Sequence, residues 1–274
     1  MAKSKAYLQT IEFEAPTLNE KGEIIAQARH SARQFTQDLG DHVSLDMLVI
    51  PPGIFQMGSP RHLGNKDEQP QHLVTITSFM MSRYLITQGQ WKAVMKKLPP
   101  CRFKGEDLPV ERVSWNDAHK FCKRLSKRTG RNYRLPSETQ WEYACRAETN
   151  TPFSFGETIT TAVANFNGEH TYLKEPHGLY RHTTTEGGTF LPNAFGLYDM
   201  NGNLWEWCAD DWLDDYSASP RDGSSYQSKG SRFRVARGGS WHESPELCRS
   251  AARIKFPQSD ADEFVGFRVV CDVI

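Results

Sequence analysis

The apolar positions near the start of the chain predict a helix followed by a buried strand. Between residues 23 and 39 the apolar side chains recur close to helical spacing, and Gly40 ends the pattern. These positions are Ile24, Ile25, Ala28, Ala32, Phe35 and Leu39. Residues 1–45 are also more polar than those that follow, so we expect an N-terminal extension with a helix over 1–45. The apolar run 47–50 leads into Pro51-Pro52-Gly53, which predicts a buried strand and a turn.

Three later segments carry the sequence signal of a helix start, a hydroxyl side chain three residues ahead of an acceptor side chain. The motifs are Thr87-x-x-Gln90, Ser114-x-x-Asp117 and Ser137-x-x-Gln140. Each motif can satisfy two backbone amides that the first turn leaves free, and Asp117 makes the weakest box because its side chain is short. Apolar residues follow on one helical face, which predicts three short helices on a core, the second ended by Gly130.

Beyond Thr149 the helical patterns vanish, and Gly, Asn, Thr, Ser and Pro become frequent. Only brief strand-like runs remain, at 233–236 and 267–270. Tryptophans and phenylalanines are interleaved through this region, so the chain can bury enough apolar area to order its loops. We therefore expect long ordered loops here rather than disorder.

Composition and charge narrow the classes of function. The 274 residues include 33 Lys+Arg and 33 Asp+Glu, with a mean hydropathy of -0.61 and a pI near 7.1, as in a soluble globular protein. A balanced charge gives no attraction to phosphate or acidic lipid, so we expect no nucleic-acid or membrane partner. The first residues lack the apolar core of a secretion signal, and Ala2 stands where myristoylation requires glycine, which favours a cytoplasmic protein.

The six cysteines lie far apart in the sequence and form no C-x-x-C pair. They are Cys101, Cys122, Cys145, Cys208, Cys248 and Cys271. This spacing favours reduced cysteines that pack as small buried hydrophobic residues.

Six motifs, taken in order, resemble the signature of the sulfatase-modifying-factor family, which includes the formylglycine-generating enzymes. They are IPPGIFQMGS (50–59), PVERVSW (109–115), RLPSETQWEYA (134–144), GLYDMNGNLWEW (196–207), RGGSW (237–241) and GFRVV (266–270). The resemblance covers residues 46–274. It implies an α+β domain with the C-type-lectin-like fold of the formylglycine-generating-enzyme type, which is loop-rich with few regular elements.

The oxidase members of the family bind copper through two cysteines that follow the Gly-Gly-Ser-aromatic motif. Aligning the chain at that motif puts Glu243 in place of the first cysteine and Cys248 in place of the second. One thiolate cannot supply the two-sulfur site that Cu(I) prefers, so we expect no copper. A copper-dependent oxidase of the formylglycine-generating type stays an alternative.

Another branch of the family, the variable proteins of diversity-generating retroelements, is also similar to this chain. In those proteins the motifs hold the fold, while residues between the RGGSW and GFRVV landmarks vary to make binding surfaces. Residues 242–265 contain no Asn, as adenine-directed mutagenesis of Asn codons would produce, although that route cannot yield Glu243, Lys255, Gln258 or Glu263. The resemblance implies a non-enzymatic display protein. An undiversified member and a regulatory protein-interaction module stay open.

The predicted ligand-binding face mixes apolar anchors with charged groups, a composition typical of an interaction patch with a polar rim. Its residues are His242, Glu243, Ser244, Glu246, Leu247, Ala251, Ile254, Lys255, Phe256, Gln258, Asp260, Asp262, Glu263 and Phe264. The ligand expected is an unidentified protein or small molecule. The alternative is that Phe256 and Phe264 fill the core while the charges face water.

The resemblance also implies structural calcium. One site maps onto Asp199, Gly202, Leu204 and Glu206, as two carboxylates and two backbone carbonyls. A second site would begin at Asn165 and Phe166, with His177 standing where an acidic ligand is expected. The alternative for Asp199 and Glu206 is hydrogen bonding within the protein without a metal.

Overall fold

Strands and three short α-helices alternate with long ordered loops in a mixed α+β architecture. The computed structural model describes residues 7–228 and 230–273, so residues 1–6, 229 and 274 of the predicted segments lie outside the described residues. The strands are β1 (Gln9–Leu18), β2 (Ile24–Asp38), β3 (Ser44–Ile50), β4 (Gly53–Met57), β5 (His72–Ile76), β6 (Phe79–Ser82), β7 (Trp205–Asp211), β8 (Phe233–Arg237), β9 (Arg253–Pro257), β10 (Val265–Gly266) and β11 (Val270–Cys271). The helices are α1 (Gln88–Met95), α2 (Trp115–Thr129) and α3 (Glu138–Arg146). Within the described ranges, no helix has the length and apolar character needed to cross a membrane.

The strands form a five-stranded, a four-stranded and a two-stranded sheet. The first has the order β1-β2-β3-β6-β11, the second β10-β7-β8-β9, and β4 pairs with β5. The predicted strand at 47–50 is confirmed, and Met47, Leu48 and Ile50 are fully buried. The run at 233–236 is confirmed as part of β8, whereas of the run at 267–270 only Val270 is in a strand.

The helix expected within residues 23–39 is wrong, because this segment is the strand β2, paired antiparallel with β1. Ala28 and Ala32 are four residues apart, and a spacing of four places side chains on one face of a helix or of a strand alike. The turn ahead of β2 distinguishes the strand from a helix, because it brings β2 back alongside β1. In this turn the Gly22 N–H donates to the Asn19 carbonyl at 2.9 Å. Gly40 likewise belongs to the turn from β2 to β3, since its carbonyl accepts from the Val43 N–H.

The predicted helix starts are confirmed at all three positions. Thr87 and Ser137 form complete capping boxes with Gln90 and Gln140. Ser114 accepts from the Asp117 N–H, but the short Asp117 side chain binds the Ser114 hydroxyl at 2.6 Å instead of reaching the backbone. Gly130 ends α2 in a left-handed conformation, as predicted.

The tip of the β1–β2 hairpin packs onto the loop over residues 153–175. The Leu18 N–H donates to the Phe155 carbonyl at 2.7 Å, and the buried Leu18 side chain joins a cluster that contains Phe153 and Cys248. Gly22 has φ +77°, and a Cβ there would lie 2.3 Å from Cγ2 of Thr160. Only glycine therefore allows the tip to approach this closely.

A network of buried arginines and glutamates joins α3 to the C-terminal segment. The distances between ion-pair atoms are 2.9 Å for Arg146–Glu142, 2.7 Å for Arg249–Glu68 and 2.8 Å for Arg253–Glu138. Arg237 also binds Glu142, and donates to the carbonyls of Ser250, Ala251 and Ala252. We call these four arginines and three glutamates the arginine network. It fixes the backbone of residues 249–253 from the inside.

Candidate functional site: an exposed aromatic face

Backbone hydrogen bonds from two loops position Trp241 at the start of the predicted ligand-binding segment. The Trp241 N–H donates to the Asn203 carbonyl at 2.9 Å, and the Asn203 N–H donates to the Asn165 carbonyl at 2.7 Å. In the same loop as Asn165, the Asn167 N–H donates to the Glu243 carbonyl at 2.9 Å. Residues 241–243 are thus held on a frame made by 165–167 and 203.

Aromatic side chains from three separate segments surround the buried ring of Trp241. The ring centroids of Phe103 and Phe264 lie 5.6 and 5.3 Å from that of Trp241. His242 is exposed, lies 5.0 Å from Phe264, and its Nδ1 is 2.5 Å from the Tyr180 hydroxyl. Phe103, Tyr180 and Phe264 are half-buried. We call Phe103, Tyr180, Trp241, His242 and Phe264 the aromatic face.

Two arginines border the aromatic face and share one carboxylate. Glu263 accepts from Nη1 of Arg102 at 2.6 Å and from Nη2 of Arg112 at 2.7 Å. The exposed Arg102 guanidinium lies over the rings of Phe103 and Trp241, at 5.3 and 5.7 Å from their centroids. Arg112 has φ +56°, a conformation that is uncommon for arginine and costs free energy. Its N–H donates to the Asp262 carbonyl at 2.8 Å, which holds it there.

The hydrogen-bonded pair of Glu263 and Arg112 favours the charged form of both groups. Hydrogen bonds from Arg112 hold the pKa of Glu263 below its usual value, and burial opposes this effect less strongly. The same pair raises the pKa of Arg112. Partial burial raises the pKa of the Tyr180 hydroxyl, so it is protonated and can donate to His242. The face therefore offers apolar rings, a cation and hydrogen-bonding groups, a combination suited to binding.

The residues predicted for ligand binding divide into several groups. His242, Glu243, Asp262, Glu263 and Phe264 belong to the aromatic face or its border. The strand β9 places Ile254, Lys255 and Phe256 elsewhere, followed by Gln258. Lys255 lies over Trp212 and Phe233, and Phe256 packs edge-on against the buried Trp207.

The remaining predicted residues lie on turns or in the interior. Ser244, Glu246 and Leu247 lie at the short 3₁₀ turn Pro245–Cys248, and Asp260 is exposed after β9. The assignment of Ala251 to an exposed face is wrong, because this residue is 3% exposed. Arg237 binds its carbonyl and draws this part of the chain inward. Leu247, Ile254, Phe256 and Phe264 pack partly against the core, so the alternative that the phenylalanines fill space is also partly right.

Sequence reasoning missed Arg102, Phe103, Arg112 and Tyr180, which come from loops outside the 242–264 segment. Of these four residues, only Phe103 could have been found from the sequence. It is an aromatic residue among Arg102, Lys104 and Gly105, where no apolar periodicity assigns it to the core. No local pattern marks Tyr180. The folded loops alone bring it to His242.

All six cysteines are buried and free, as predicted. Cys248 is fully buried, and its Sγ would lie 2.5 Å from a Cβ at Gly239. Burial raises the pKa of its thiol well above the usual range, which disfavours the thiolate that binds copper. Glu243 accepts a hydrogen bond from Nε1 of Trp205 at 3.2 Å. Among the described residues, no group of three or more His, Cys, Asp or Glu side chains is arranged to hold a metal ion.

The carboxylate of Glu206, predicted to bind calcium, is occupied by protein donors. Arg268 donates to both of its oxygens, at 2.6 and 2.8 Å, and Nε1 of Trp141 donates at 2.9 Å. Glu206 is fully buried, so this ion pair replaces its hydration. The donor set around Glu206 fits a guanidinium and does not fit a calcium ion unless Arg268 moves away.

The other oxygens predicted to bind calcium accept fewer hydrogen bonds from the protein than the Glu206 carboxylate does. Asp199 is only partly covered from solvent, yet desolvation raises its pKa to about 7, with Glu206 adding to the rise and Arg268 opposing it. Oδ1 of Asn165 is buried and has no partner among the described residues, which fits a cation ligand. The His177 ring is directed to the Glu169 carbonyl at 2.8 Å. Gly202 and Leu204 are joined by a backbone hydrogen bond of 3.0 Å.

Comparison with known proteins decides the family. The sulfatase-modifying factor enzyme 1-like domain matches residues 37–273. The chain belongs to this sulfatase-modifying factor family. A formylglycine-generating enzyme of Thermomonospora curvata is 26% identical over an alignment that spans 84% of this chain and 94% of the enzyme. The match begins at residue 37, so most of the β1–β2 hairpin precedes the family domain.

Two solved structures of similar shape confirm the predicted C-type-lectin-like fold of the sulfatase-modifying factor family. PvdO from Pseudomonas aeruginosa has a TM-score of 0.75 and 35% identity, over 83% of this chain and 94% of PvdO. Treponema denticola variable protein 1 has a TM-score of 0.76 and 24% identity, over 88% of this chain and 99% of that protein. At that identity the second likeness concerns the fold alone.

Proposed function

We propose that this protein is a non-enzymatic recognition protein that binds a protein or small molecule at the aromatic face. The observation that carries the proposal is the convergence of Phe103, Tyr180, His242 and Phe264 around Trp241, bordered by Arg102. Interfaces concentrate their binding free energy in aromatic and arginine side chains of this kind. Partly exposed rings on a rigid frame lose little conformational freedom on binding.

The proposal includes a display role for the surface of residues 242–264. The arginine network and the loop frame hold the backbone of this segment, while His242, Glu246, Lys255 and Asp260 are exposed. Exposed side chains on a fixed backbone can change without loss of the fold. The likeness in fold to a variable protein supports this role. Sequencing the DNA around the gene tests whether residues 242–264 are diversified. Diversification requires a neighbouring reverse transcriptase gene and an imperfect repeat of the codons for residues 240–268.

A formylglycine-generating-type oxidase is the second candidate, favoured by similarity to the Thermomonospora curvata enzyme over 84% of this chain. The buried Cys248 and the carboxylate of Glu243 speak against copper chemistry of that kind. Copper titration with a cysteine-containing sulfatase peptide separates the candidates. We expect no peptide oxidation, and turnover that Cys248→Ala abolishes would refute the recognition role.

Binding is tested with peptides selected from a random display library on the immobilised protein. We expect selected peptides to lose at least tenfold in affinity with Trp241→Ala or Phe264→Ala. Phe233→Ala is the matched control, because Phe233 is 42% exposed but lies on β8 beside Lys255. Peptides that bind all three variants equally would refute the assignment of binding to the aromatic face.

We also propose structural calcium at two sites, one around Asp199 and one that begins at Asn165 and Phe166. The buried Oδ1 of Asn165, which has no hydrogen-bond partner among the described residues, supports the second site. The test is thermal unfolding with and without a chelator. A chelator should lower the melting temperature of the natural protein, and this shift should be smaller in Asp199→Ala and in Asn165→Ala, each of which removes one site. An unchanged melting curve in chelator would remove calcium from the proposal and leave the recognition role intact.

A further inference from the structure

One edge of β2 is unpaired over residues 26–33. On one side β2 pairs with β1 from Ile24 to Gln34, whereas on the other side it pairs with β3 only from Gln34 to Asp38. Among the described residues, no other segment makes backbone hydrogen bonds to residues 26–33. In an antiparallel ladder the N–H and C=O groups of successive residues point to opposite edges, so alternate residues here leave both groups unpaired. We call this side of residues 26–33 the open edge, and such an edge can accept one more strand.

An apolar groove lies beside the open edge, where β3 leaves β2. After Ile50, which still pairs with Phe79 of β6, the chain continues into Pro51 and Pro52, which lack the N–H that strand pairing needs. The groove has a volume of about 430 Å³, within the range of about 300–1,000 Å³ that is typical of ligand sites. Its apolar lining residues are Ala32, Val49, Pro51, Pro52, Ala194 and Phe195. Because Ala32 belongs both to the open edge and to the groove, a strand bound at the edge would direct a side chain into the groove.

The two faces of residues 26–33 differ in chemistry, because side chains alternate between the faces of a strand. One face carries three alanines and one histidine, namely Ala26, Ala28, His30 and Ala32. This face continues the buried face of β1, since the buried Phe13 stacks on His30 with ring centroids 5.9 Å apart. The other face carries the exposed Arg29 and Arg33. Arg29 lies 3.6 Å from Glu14 of β1, and Arg33 has no ion-pair partner among the described residues.

From these observations we propose that the open edge binds an extended segment of a partner protein in which apolar and acidic residues alternate. Its backbone would pair with β2, its apolar side chains would cover the alanine face and enter the groove, and its carboxylates would lie beside Arg29 and Arg33. The strand β1 already has this pattern, as Ile11-Glu12-Phe13-Glu14-Ala15. Glu148 is the one acidic residue that lines the groove, so the groove itself favours an apolar side chain over an acidic one.

The open edge is distinct from the site of the proposed function. It shares no residue with the aromatic face, and it precedes residue 37, where the match to the family domain begins. A second copy of β2 fits the open edge less well than an acidic segment does, because pairing two copies of this strand would bring basic faces together.

The probe is a fluorescent synthetic peptide that copies residues 9–15 (QTIEFEA), because β1 shows that this pattern pairs with β2. We expect saturable binding, measured by fluorescence anisotropy. The peptide should slow hydrogen exchange of the backbone amides in residues 26–33 and leave exchange in β1 unchanged. Replacing both glutamates of the peptide by lysine should weaken binding at least tenfold. Methylating the amides of its three central residues removes donors from both of its edges and should abolish binding.

Variants of the protein test the two faces separately. Arg33→Glu reverses one exposed charge and should weaken peptide binding about three- to tenfold. Val49→Thr keeps the shape of a groove side chain but adds a hydroxyl, and should weaken binding about five- to tenfold. Arg232→Glu and Val43→Thr are the matched controls, at an exposed arginine ahead of β8 and a half-buried valine in the turn from β2 to β3. These controls, and Trp241→Ala in the aromatic face, should bind the peptide as the natural protein does.

Several results would overturn the proposal. They are the absence of saturable binding, equal binding of the lysine or methylated peptide, and faster exchange in β1, which would mean that the peptide replaces β1. Normal binding by both Arg33→Glu and Val49→Thr, or a loss of affinity in any control, would have the same consequence. Sedimentation of the protein alone tests the other occupant, since self-association that Arg33→Glu abolishes would assign the open edge to a second copy.

Discussion

The ion pair between Glu206 and Arg268 is buried on both sides, so removing one charge should have a large and measurable cost. Both side chains are fully buried, and the Nε–Oε2 distance is 2.6 Å. Glu206→Gln keeps the shape but leaves the Arg268 guanidinium without its closest counter-ion. Breaking such a pair from one side costs about 3–5 kcal/mol. At about 2–4 °C per kcal/mol for a chain of this size, the melting temperature should fall by roughly 6–20 °C.

Asp199 is the residue that could mask this loss. It lies close enough to Arg268 and Glu206 for both to affect its pKa, so it can ionise when the Glu206 charge is removed. The measurement is therefore chemical denaturation of Glu206→Gln in an Asp199→Asn background, compared with Asp199→Asn alone. Glu14→Gln is the control, because Glu14 pairs with Arg29 at 3.6 Å on the surface and such pairs contribute at most about 1 kcal/mol. A loss at Glu206 no larger than that at Glu14 would refute the reasoning.

Three further predictions concern the frame of the site. Burial raises the pKa of Asp210 to about 7, above its unfolded value, so the stability that its protonated form contributes is lost as the pH rises from about 4 to 7. Asp210→Asn lacks this loss. Chemical denaturation between pH 4 and 7 should show an unfolding free energy that falls with pH by up to about 1.4 kcal/mol per pH unit less than in the natural protein. Leu18→Ala should cost about 2–5 kcal/mol and speed hydrogen exchange over residues 153–175, whereas unchanged exchange would contradict the hairpin's role. Glu246→Asn should alter the unfolding free energy by less than about 0.5 kcal/mol, while Arg253→Gln, measured alongside, should cost about 3–5 kcal/mol.

Features that depend on neighbouring residues could be predicted from the sequence. The three helix starts are local, because each cap involves residues only three positions apart. Gly130 is local for the same reason, since a left-handed residue ends the helix by its own conformation. The buried strand β3 could also be predicted, because its residues 47–50 form a continuous apolar run. The family motifs extended this knowledge to the fold as a whole, including its long ordered loops.

Features that depend on distant residues could not be predicted in the same way. The hairpin was mistaken for a helix because Ala28 and Ala32 satisfy both periodicities, and only the pairing of β2 with β1 resolves the ambiguity. The family resemblance assigned Glu206 to a calcium site, but its hydrogen-bonded partner Arg268 is 62 residues away and could not be predicted. Tyr180 reaches His242 across the same number of residues. Side-chain partners at such separations carry no local sequence signal.

The arginine network holds the segment that follows Cys248 from its inner side. Arg237 binds three consecutive carbonyls, at Ser250, Ala251 and Ala252, while Arg249 and Arg253 connect the same segment to Glu68 and Glu138. The segment is thus fixed by guanidinium groups on its inner side, while the thiol of Cys248 packs in a buried cluster. Since none of these contacts involves an exposed side chain, the outer surface is free to change without any loss of the frame. The backbone of residues 249–253 therefore depends on the buried network and not on the exposed side chains of Glu246, Lys255 and Asp260.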